Sequence, residues 1–136
     1  MKLGIIGLGR MGGGIARRLM RAGHEIVVFD HDEAAIAALV DEGAIAASSL
    51  EDMHEKLGER AIFWVMLPAG GPTEQTVKAI GDFNSIDDIV IDGGNSFYKD
   101  DIRRAKALRE KNKFYADVGT SGGVWGLERE IGRAHV

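Results

Sequence analysis

A glycine motif near the start of the chain constrains the fold more than any other feature. Residues 7–12 read Gly-Leu-Gly-Arg-Met-Gly, follow a short apolar run at 3–6, and open a segment of helical period at 10–21. In a turn from strand to helix, the first glycine permits a tight turn, the second lets a bound group approach the backbone, and the third lets helix and strand pack closely. The free N–H groups and the positive dipole end of the helix favour an anion, so we expect a phosphate group to bind there.

The rest of the chain alternates short apolar runs with longer segments of helical period, which is typical of β-α units around a parallel sheet. We therefore predict an α/β fold of the Rossmann type, with a doubly wound, mostly parallel sheet and helices on both faces. Asp32 and Ser48 are expected to cap the second and third helices, and Gly23 to follow the first. The predicted strands are 3–6, 25–29, 43–47, 61–67, 88–91 and 114–118, and the predicted helices are 10–21, 33–40, 48–57, 72–80 and 99–112.

The composition predicts one soluble domain with a small-molecule ligand. A length of 136 residues suits a single hydrophobic core. The formal net charge is −4, so the chain lacks the excess of basic residues that is typical of proteins that bind nucleic acids or anionic membranes. We therefore predict no nucleic-acid partner and no membrane partner. The absence of cysteine excludes disulfides and a thiolate nucleophile. Because no secretory signal or membrane-length apolar run is present, we expect the protein to be cytoplasmic.

An acidic residue follows the second predicted strand. Asp30 lies 18 residues past Gly12, the last glycine of the motif, where such an acid typically accepts hydrogen bonds from the ribose hydroxyls of a dinucleotide. Its charge would repel a 2′-phosphate, and its neighbours His31, Asp32 and Glu33 include no arginine to recruit one. The sequence therefore predicts NAD rather than NADP as the cofactor.

Three further loops follow predicted strands and are rich in small residues, at 66–69, 93–95 and 121–123. In α/β sheets ligands bind beyond the carboxyl ends of the strands. Asn95 and Ser121 add hydrogen-bonding groups there that could orient a carboxamide or a polyol acid. The recurrence of such loops at one edge of the sheet predicts a site.

The sequence shows no evident set of residues for acid–base catalysis or metal binding. We interpret the four histidines as surface side chains with no carboxylate or nucleophile partner: His24, His31, His54 and His135. The acid pairs at 87–88 and 100–101 lie next to predicted element starts, where strand-end or helix-end roles suffice. We therefore predict no metal site.

The last predicted helix carries many basic residues. We expect Ile102, Ala105 and Leu108 to face the core. The basic side chains are expected to form a mostly solvated face rather than a phosphate site: Arg103, Arg104, Lys106, Arg109 and Lys111.

Four stretches resemble decarboxylating 6-phosphogluconate dehydrogenase in its shorter bacterial form. They are the motif at 7–12, Met-Leu-Pro-Ala-Gly at 66–70, Asp-Gly-Gly-Asn-Ser-Phe-Tyr-Lys-Asp at 92–100 and Asp-Val-Gly-Thr-Ser-Gly-Gly-Val-Trp-Gly at 117–126. The first is shared by all β-hydroxyacid dehydrogenases, whereas the Gly-Gly-Asn and Thr-Ser-Gly-Gly stretches are more specific. The resemblance implies oxidation of 6-phosphogluconate at C3 and loss of CO2 to give ribulose 5-phosphate.

The resemblance also implies a set of site residues. The cofactor would be lined by Gly7, Leu8, Gly9, Arg10, Met11, Gly12, Asp30, His31, Asp32, Leu67, Pro68, Ala69 and Asn95. The substrate would be held by Asn95, Ser121, Gly122 and Gly123. Asp-His-Asp at 30–32 stands where the NADP pattern of the family usually reads Asn-Arg-Thr, which agrees with the charge argument for NAD.

The family has parts that this chain lacks. Its catalytic lysine and glutamate lie downstream of the Ser-Gly-Gly loop, followed by a large helical domain that supplies dimerisation. We therefore expect the chain to hold cofactor without turning over, and the full-length form to be a homo-oligomer. We interpret 1–129 as a dinucleotide-binding domain that is incomplete at its C-terminal end. We interpret 130–136 as a non-native tail translated from a ligation adapter, which the DNA sequence would test.

Two alternatives stay open. A 3-hydroxyisobutyrate-type dehydrogenase shares the first motif and a Ser-Gly-Gly loop, but Asp-Gly-Gly-Asn at 92–95 argues against it. A non-catalytic module that senses NAD would leave Asn95 and Ser121 unexplained.

Overall fold

Short apolar runs form the strands, and amphipathic segments form the helices, of the computed structural model, which describes residues 1–68, 70–94, 98–118 and 134–135. The strands are β1 (Lys2–Ile6), β2 (Glu25–Phe29), β3 (Ile45–Ala46), β4 (Ile62–Val65), β5 (Ile89–Asp92), β6 (Phe114–Val118) and β7 (Ala134–His135). The helices are α1 (Arg10–Arg21), α2 (Glu33–Val40), α3 (Leu50–Leu57), α4 (Gly71–Gly81) and α5 (Tyr98–Glu110). None of the helices in this part of the chain is long and apolar enough to cross a membrane.

The strands form one sheet in the order β3-β2-β1-β4-β5-β6-β7. Strands β1 to β6 pair in parallel, and β7, which lies within 130–136, pairs antiparallel with β6. Because β1 lies between β2 and β4, the direction of winding reverses there, and ligands of such sheets bind at this point beyond the carboxyl ends of the strands. The predicted Rossmann-type α/β fold is confirmed.

Side chains of the sheet alternate between two cores. On β1, Ile5 packs into the core on the α1 and α2 side, whereas its neighbour Ile6 packs into the core on the other face. Ile15 and Leu39 supply the helical side of the first core. The helices α3, α4 and α5 supply the second core with Met53, Val77, Ile80 and Leu108. The sheet is therefore covered by helices on both faces, as predicted.

Side-chain caps fix where two helices begin. Asp32 caps α2 as predicted, with its carboxylate accepting a backbone N–H at 3.0 Å. The cap of α3 is Ser49 rather than the predicted Ser48: Ser49 Oγ accepts the Asp52 N–H at 3.0 Å, while the Ser48 N–H donates to the Asp52 carboxylate at 2.8 Å. Either serine has an acid three residues later, so spacing alone could not choose between them. Burial of Met53, which is fully enclosed, is consistent with the observed register.

The buried face of α5 differs from the predicted one. Leu108 is buried as expected, but Ile102 is 65% exposed and Arg104 is only 3% exposed. The inner face carries Asp101, Arg104 and Leu108, which share one side of the helix. Apolar periodicity was misleading because the Tyr115 hydroxyl and nearby carboxylates provide polar partners, which offset the cost of burying charged groups.

Lys113 holds the loop between α4 and β5. Its side chain is 2% exposed, and Nζ donates to the carbonyl oxygens of Ser85 at 2.8 Å, Phe83 at 2.9 Å and Gly81 at 3.3 Å. These bonds connect the turn after α5 to the end of α4, so the ammonium group is part of the structure of both segments.

Replacing Lys113 with methionine is expected to lower the free energy of unfolding by about 3 kcal/mol, because three carbonyl oxygens, at least partly buried, lose a charged donor. Urea denaturation measures this loss. The matched control is Lys111→Met, which removes an exposed ammonium paired with Asp82 and should leave stability nearly unchanged. Equal losses from the two variants would contradict the role given to Lys113.

Candidate functional site

Close backbone contacts build the glycine turn between β1 and α1. Gly7 has a φ of +94°, a conformation that favours glycine, and its N–H donates to the Phe29 carbonyl at 3.0 Å. A Cβ on Gly7 would lie 2.4 Å from Met66 O, and a Cβ on Gly12 would lie 1.9 Å from Gly7 O. The tight turn and close helix packing predicted for Gly7 and Gly12 are confirmed.

Gly9 has open space around it instead. No atom lies within 4 Å of a Cβ added there, and its φ of −65° suits any residue. It is the N-cap of α1, where the first N–H groups of the helix have no partner within the helix. Among the described residues, no side chain caps α1, and its first turn contains no acidic residue. The arrangement leaves room and partial positive charge for an anion.

Asp30 connects the end of β2 to the glycine turn. Its Oδ2 accepts the Leu8 N–H at 2.6 Å, and its Oδ1 accepts the Asp32 N–H at 2.9 Å. These bonds fix the carboxylate beside the turn and leave a further lone pair on each oxygen for a ligand hydroxyl. His31 is exposed, and its ring packs edge-on against Phe29 with the ring centroids 5.8 Å apart.

A cleft of about 200 Å³ opens at the carboxyl edge of the sheet. The predicted cofactor residues that line it are Gly7, Asp30, His31 and Leu67. Sequence reasoning missed the other lining residues, which are Ile6, Phe29, Leu50, Gln75 and Thr76. The first two are strand ends next to predicted residues. Leu50 lies on α3, and Gln75 and Thr76 lie on α4. The sequence could indicate Gln75 and Thr76 only if the packing of α4 against the carboxyl edge of the sheet were known.

The loops after β4 and β5 pack on each other through their backbones. A Cβ on Gly94 would lie 2.7 Å from Leu67 O, and the Gly94 N–H donates to Asp92 Oδ1 at 2.9 Å. The hydroxyl of Thr73, which is fully buried, donates to the Pro68 carbonyl at 2.9 Å. The loops after β1, β4 and β5 therefore meet at the edge where the cleft opens.

The remaining predicted site residues fall into two groups. Leu8 is buried, Met11 is half-buried, and Arg10, Asp32 and Pro68 are exposed. The others lie outside the described residues, so their roles stay predictions: Ala69, Asn95, Ser121, Gly122 and Gly123.

A buried polar cluster lies next to the Gly93–Gly94 turn, and the sequence analysis missed it. The Tyr115 hydroxyl is 2.6 Å from Asp101 Oδ1 and 3.0 Å from Asp92 Oδ2, and Arg104 Nη1 is 3.6 Å from Asp92 Oδ2. Burial raises the pKa of Asp101 above its usual value, and the negative charge of Asp92 adds to this effect. Burial also raises the pKa of Tyr115, so the phenol keeps its proton.

Three carboxylates of this cluster lie close together. Ligand atoms of Asp92, Asp101 and Asp117 all fall within 4.8 Å of one another. The Arg104 guanidinium faces Asp92 at 3.6 Å and Asp101 at 3.8 Å, and its positive charge opposes a cation there. The absence of a metal site stays a prediction.

His54 has a different environment from the predicted one. Its Nε2 lies 3.0 Å from Ser85 Oγ and 3.6 Å from Asp88 Oδ2, and its side chain is 24% exposed. Asp88 precedes β5, so this cluster lies at the amino ends of the strands, opposite the cleft. The interpretation of His54 as a surface side chain without a carboxylate partner is therefore wrong, and His54 takes no part in the candidate site.

An open parallel sheet, a glycine turn after β1, a fixed acid after β2 and a cleft at the carboxyl edge define the class of Rossmann-type dinucleotide-binding domains. The family described as the NAD binding domain of 6-phosphogluconate dehydrogenase matches residues 2–130. The chain belongs to this family and is a nicotinamide-dinucleotide-binding domain of the oxidoreductase type.

Curated relatives agree with this family. The chain is 44% identical over 128 residues to an NAD(+)-dependent, decarboxylating 6-phosphogluconate dehydrogenase of Haloferax volcanii, a match that covers 94% of this chain and 42% of the relative. It is 32% identical over 128 residues to the corresponding NAD(+)-dependent enzyme of Bacillus subtilis, covering 91% of this chain and 27% of the relative. The chain therefore spans less than half the length of these relatives.

Solved structures share the fold. The 3-hydroxyisobutyrate dehydrogenase of Mycobacterium tuberculosis aligns with a TM-score of 0.81 at 23% identity, over 90% of this chain and 41% of that chain. A reductive aminase from Aspergillus terreus aligns with a TM-score of 0.77 at 22% identity, over 90% of this chain and 42% of that chain. At such identities the likeness concerns the fold alone.

Proposed function

We propose that this chain is the NAD-binding part of an oxidoreductase that oxidises 6-phosphogluconate and releases CO2 to give ribulose 5-phosphate. The observation that carries the proposal is the cleft where the glycine turn meets Asp30, in a chain whose 44%-identical relative is named for this activity. The Asp-Gly-Gly-Asn stretch at 92–95 supports it, because this stretch resembles 6-phosphogluconate dehydrogenase and argues against the alternative 3-hydroxyisobutyrate type.

In this proposal, different residues bind the parts of the dinucleotide. The N-terminus of α1, with the open space at Gly9, binds the pyrophosphate. Asp30 accepts hydrogen bonds from the adenosine ribose through the lone pairs that its backbone bonds leave free. When bound, NAD accepts the hydride that leaves C3 of the substrate. Asn95 and the Ser-Gly-Gly loop at 121–123 are proposed to contact the nicotinamide side and the substrate.

We further propose that NAD is preferred over NADP, because the fixed Asp30 carboxylate would repel a 2′-phosphate. Asp30→Asn removes the charge and keeps the size of the side chain, but its NH2 group replaces one of the two oxygens that accept the Leu8 and Asp32 N–H groups. Thermal unfolding without cofactor shows whether the turn survives the loss of this bond. We expect this variant to bind NAD about 10-fold more weakly, and to bind NADP about as well as NAD, because one charge-assisted hydrogen bond and one repulsion are lost. Calorimetric titration with each cofactor measures both affinities.

The control for Asp30→Asn is Glu33→Gln. Glu33 is an exposed residue in the first turn of α2 and is not among the predicted cofactor residues, so the same charge is removed three residues away. We expect this variant to keep the NAD preference of the parent. A parent chain that prefers NADP, or equal effects of the two substitutions, would contradict the role of Asp30.

A chimera tests the proposed substrate. Residues 1–129 of this chain would replace the matching segment of the Haloferax volcanii relative, which supplies the rest of an enzyme named for the reaction. We expect the chimera to form NADH when 6-phosphogluconate is added, and to lose this activity on Asn95→Ala. The matched control carries the corresponding segment of a 3-hydroxyisobutyrate dehydrogenase and should be inactive with 6-phosphogluconate.

The chimera also separates the alternatives. A chimera that binds NAD but forms no NADH would contradict the proposed reaction and favour a module that senses NAD. Activity that survives Asn95→Ala undiminished would contradict the role proposed for the Asp-Gly-Gly-Asn stretch.

A further inference from the structure

The Tyr115 hydroxyl lies between two carboxyl groups. Its oxygen is 2.6 Å from Asp101 Oδ1 and 3.0 Å from Asp92 Oδ2, and both distances are those of hydrogen bonds. A phenol has one proton, so it donates to one of these oxygens only. The other contact would join two oxygen atoms with no hydrogen between them, unless a carboxyl group supplies a second proton.

The charges of the cluster also favour a second proton on one of its carboxyl groups. Asp92 is fully buried and Asp101 is 8% exposed, and a carboxylate oxygen of Asp117 lies within 4.8 Å of both. Arg104 lies beside Asp92 and Asp101, and its Nε also bonds Glu74 at 3.4 Å, a carboxylate that pairs with Arg103 at 2.7 Å. With both Asp92 and Asp101 ionised, two negative charges would lie within 4.8 Å of each other in a poorly solvated place, where like charges repel strongly.

The second oxygen of Asp101 singles out this residue. Asp101 Oδ2 is buried and has no hydrogen-bond partner among the described residues. On an ionised carboxylate, such an oxygen would bear negative charge without a donor, which is costly. On a protonated carboxyl group with the proton on Oδ1, it is a neutral carbonyl oxygen and costs less to leave unpaired. Burial and the charge of Asp92 raise the pKa of Asp101, which is the direction that the assignment needs, whereas a hydrogen bond donated by Tyr115 would lower it.

We propose that Asp101 holds a proton at neutral pH and heads a directed chain of hydrogen bonds that positions the Gly93–Gly94 turn. Asp101 Oδ1 donates to the Tyr115 oxygen, and the Tyr115 hydroxyl donates to Asp92 Oδ2. Asp92 stays ionised beside Arg104, and its Oδ1 accepts the Gly94 N–H at 2.9 Å.

The chain of hydrogen bonds reaches the candidate site through Gly94. A Cβ on Gly94 would lie 2.7 Å from Leu67 O, and Leu67 lines the cleft. Asp101 is thus a positioning residue that acts through Tyr115 and Asp92. Only this link to the cofactor site rests on the proposed function, because the location of the proton does not depend on any ligand.

Protonation of Asp101 makes the stability of the fold depend on pH. The pKa of Asp101 is raised in the folded chain above its usual 3.8, so the folded state binds this proton more tightly than the unfolded state. Its contribution to stability is complete below the unfolded value and is lost as the pH rises through the folded value. The groups that face Asp101 are Asp92 on β5, Tyr115 and Asp117 on β6 and Arg104 on α5; Glu74 on α4 contacts Arg104.

Infrared spectroscopy of the full chain tests the proposal. We expect the C=O stretching band of a protonated carboxyl group at neutral pH, which disappears in Asp101→Asn and persists in Asp100→Asn, an exposed neighbour that pairs with Arg103. In proton–nitrogen spectra, the Gly94 amide signal should shift with the same pH midpoint as the band, and this shift should be absent in Asp101→Asn. A second variant, Tyr115→Phe, keeps the Asp101 carboxyl group but removes the acceptor of its proton, and it should move the band.

Several results would overturn the assignment. The wild-type chain could show no such band at neutral pH, or Asp101→Asn could retain it unchanged. A Gly94 signal that is indifferent to the titration would remove the positioning role. Stabilisation of the chain by Mn²⁺ that Asp101→Asn abolishes would also overturn the proposal, because carboxylates that share a metal ion need no proton.

Discussion

Replacing Gly12 with alanine is expected to lower the free energy of unfolding by about 3 kcal/mol, a large part of the 5–15 kcal/mol that holds a typical domain folded. The added Cβ would lie 1.9 Å from Gly7 O, a backbone atom of the turn, so no flexible side chain can move aside. Alanine favours the helix by about 1 kcal/mol over glycine, which cannot offset this clash. Helix α1 must move away from β1, and we expect NAD binding to disappear with the turn.

Gly13→Ala is the matched control for Gly12→Ala. It lies one residue further along α1, and the nearest atoms to its Cβ are Arg17 Nη1 at 3.3 Å, which is the end of a flexible side chain, and Leu8 O at 3.5 Å. We expect a change in unfolding free energy within about 1 kcal/mol, because helix propensity and slight crowding oppose each other. Urea denaturation compares the two variants, and equal stability would contradict the packing role of Gly12.

The second large effect is expected at Gly9, where a substitution should weaken NAD binding without lowering the stability of the fold. Gly9→Val meets no atom within 4 Å at its Cβ, and its backbone conformation suits any residue, so the free energy of unfolding should change by no more than about 1 kcal/mol. The branched side chain occupies the space that the pyrophosphate needs at the start of α1. We expect NAD affinity to fall by about 100-fold, as measured by calorimetric titration.

A graded series checks the Gly9 prediction. Gly9→Ala fills less of the same space, so its NAD affinity should lie between those of the parent and Gly9→Val. Thermal unfolding of each variant without cofactor shows whether the fold is intact. A Gly9→Val chain that binds NAD as tightly as the parent would contradict the proposed position of the pyrophosphate.

Much of the fold could be predicted from the sequence because the relevant forces are local. The apolar runs at 25–29 and 114–118 are strands with the predicted bounds, and the glycine motif has the turn geometry that its spacing predicts. Where the predictions were wrong, distant partners decided the outcome. Arg104 is buried because it interacts with Asp92 on β5 and Tyr115 on β6. The pattern of apolar residues within α5 cannot indicate partners on these strands.

The candidate site was predictable to a similar extent. Gly7, Asp30 and Leu67 each end or follow a strand, so a topology with parallel strands brings them together at one edge. Gln75 and Thr76 line the same cleft from the side of a helix, and their place depends on how α4 packs over the sheet. The Asp101–Tyr115–Asp92 cluster is invisible in the sequence for the same reason, since its members come from three elements.

Binding of NAD at the carboxyl edge of the sheet is the step on which the proposed function depends. Titration of the isotope-labelled chain with NAD, followed residue by residue in proton–nitrogen spectra, tests it most directly. We predict saturable shifts of the amide signals of Leu8, Gly9 and Arg10, of those at 30–32, and of Leu67. A second groove lies between α4 and α5 and is lined by Val77 and Leu108. The absence of shifts, or shifts confined to this second groove, would contradict NAD binding at the carboxyl edge.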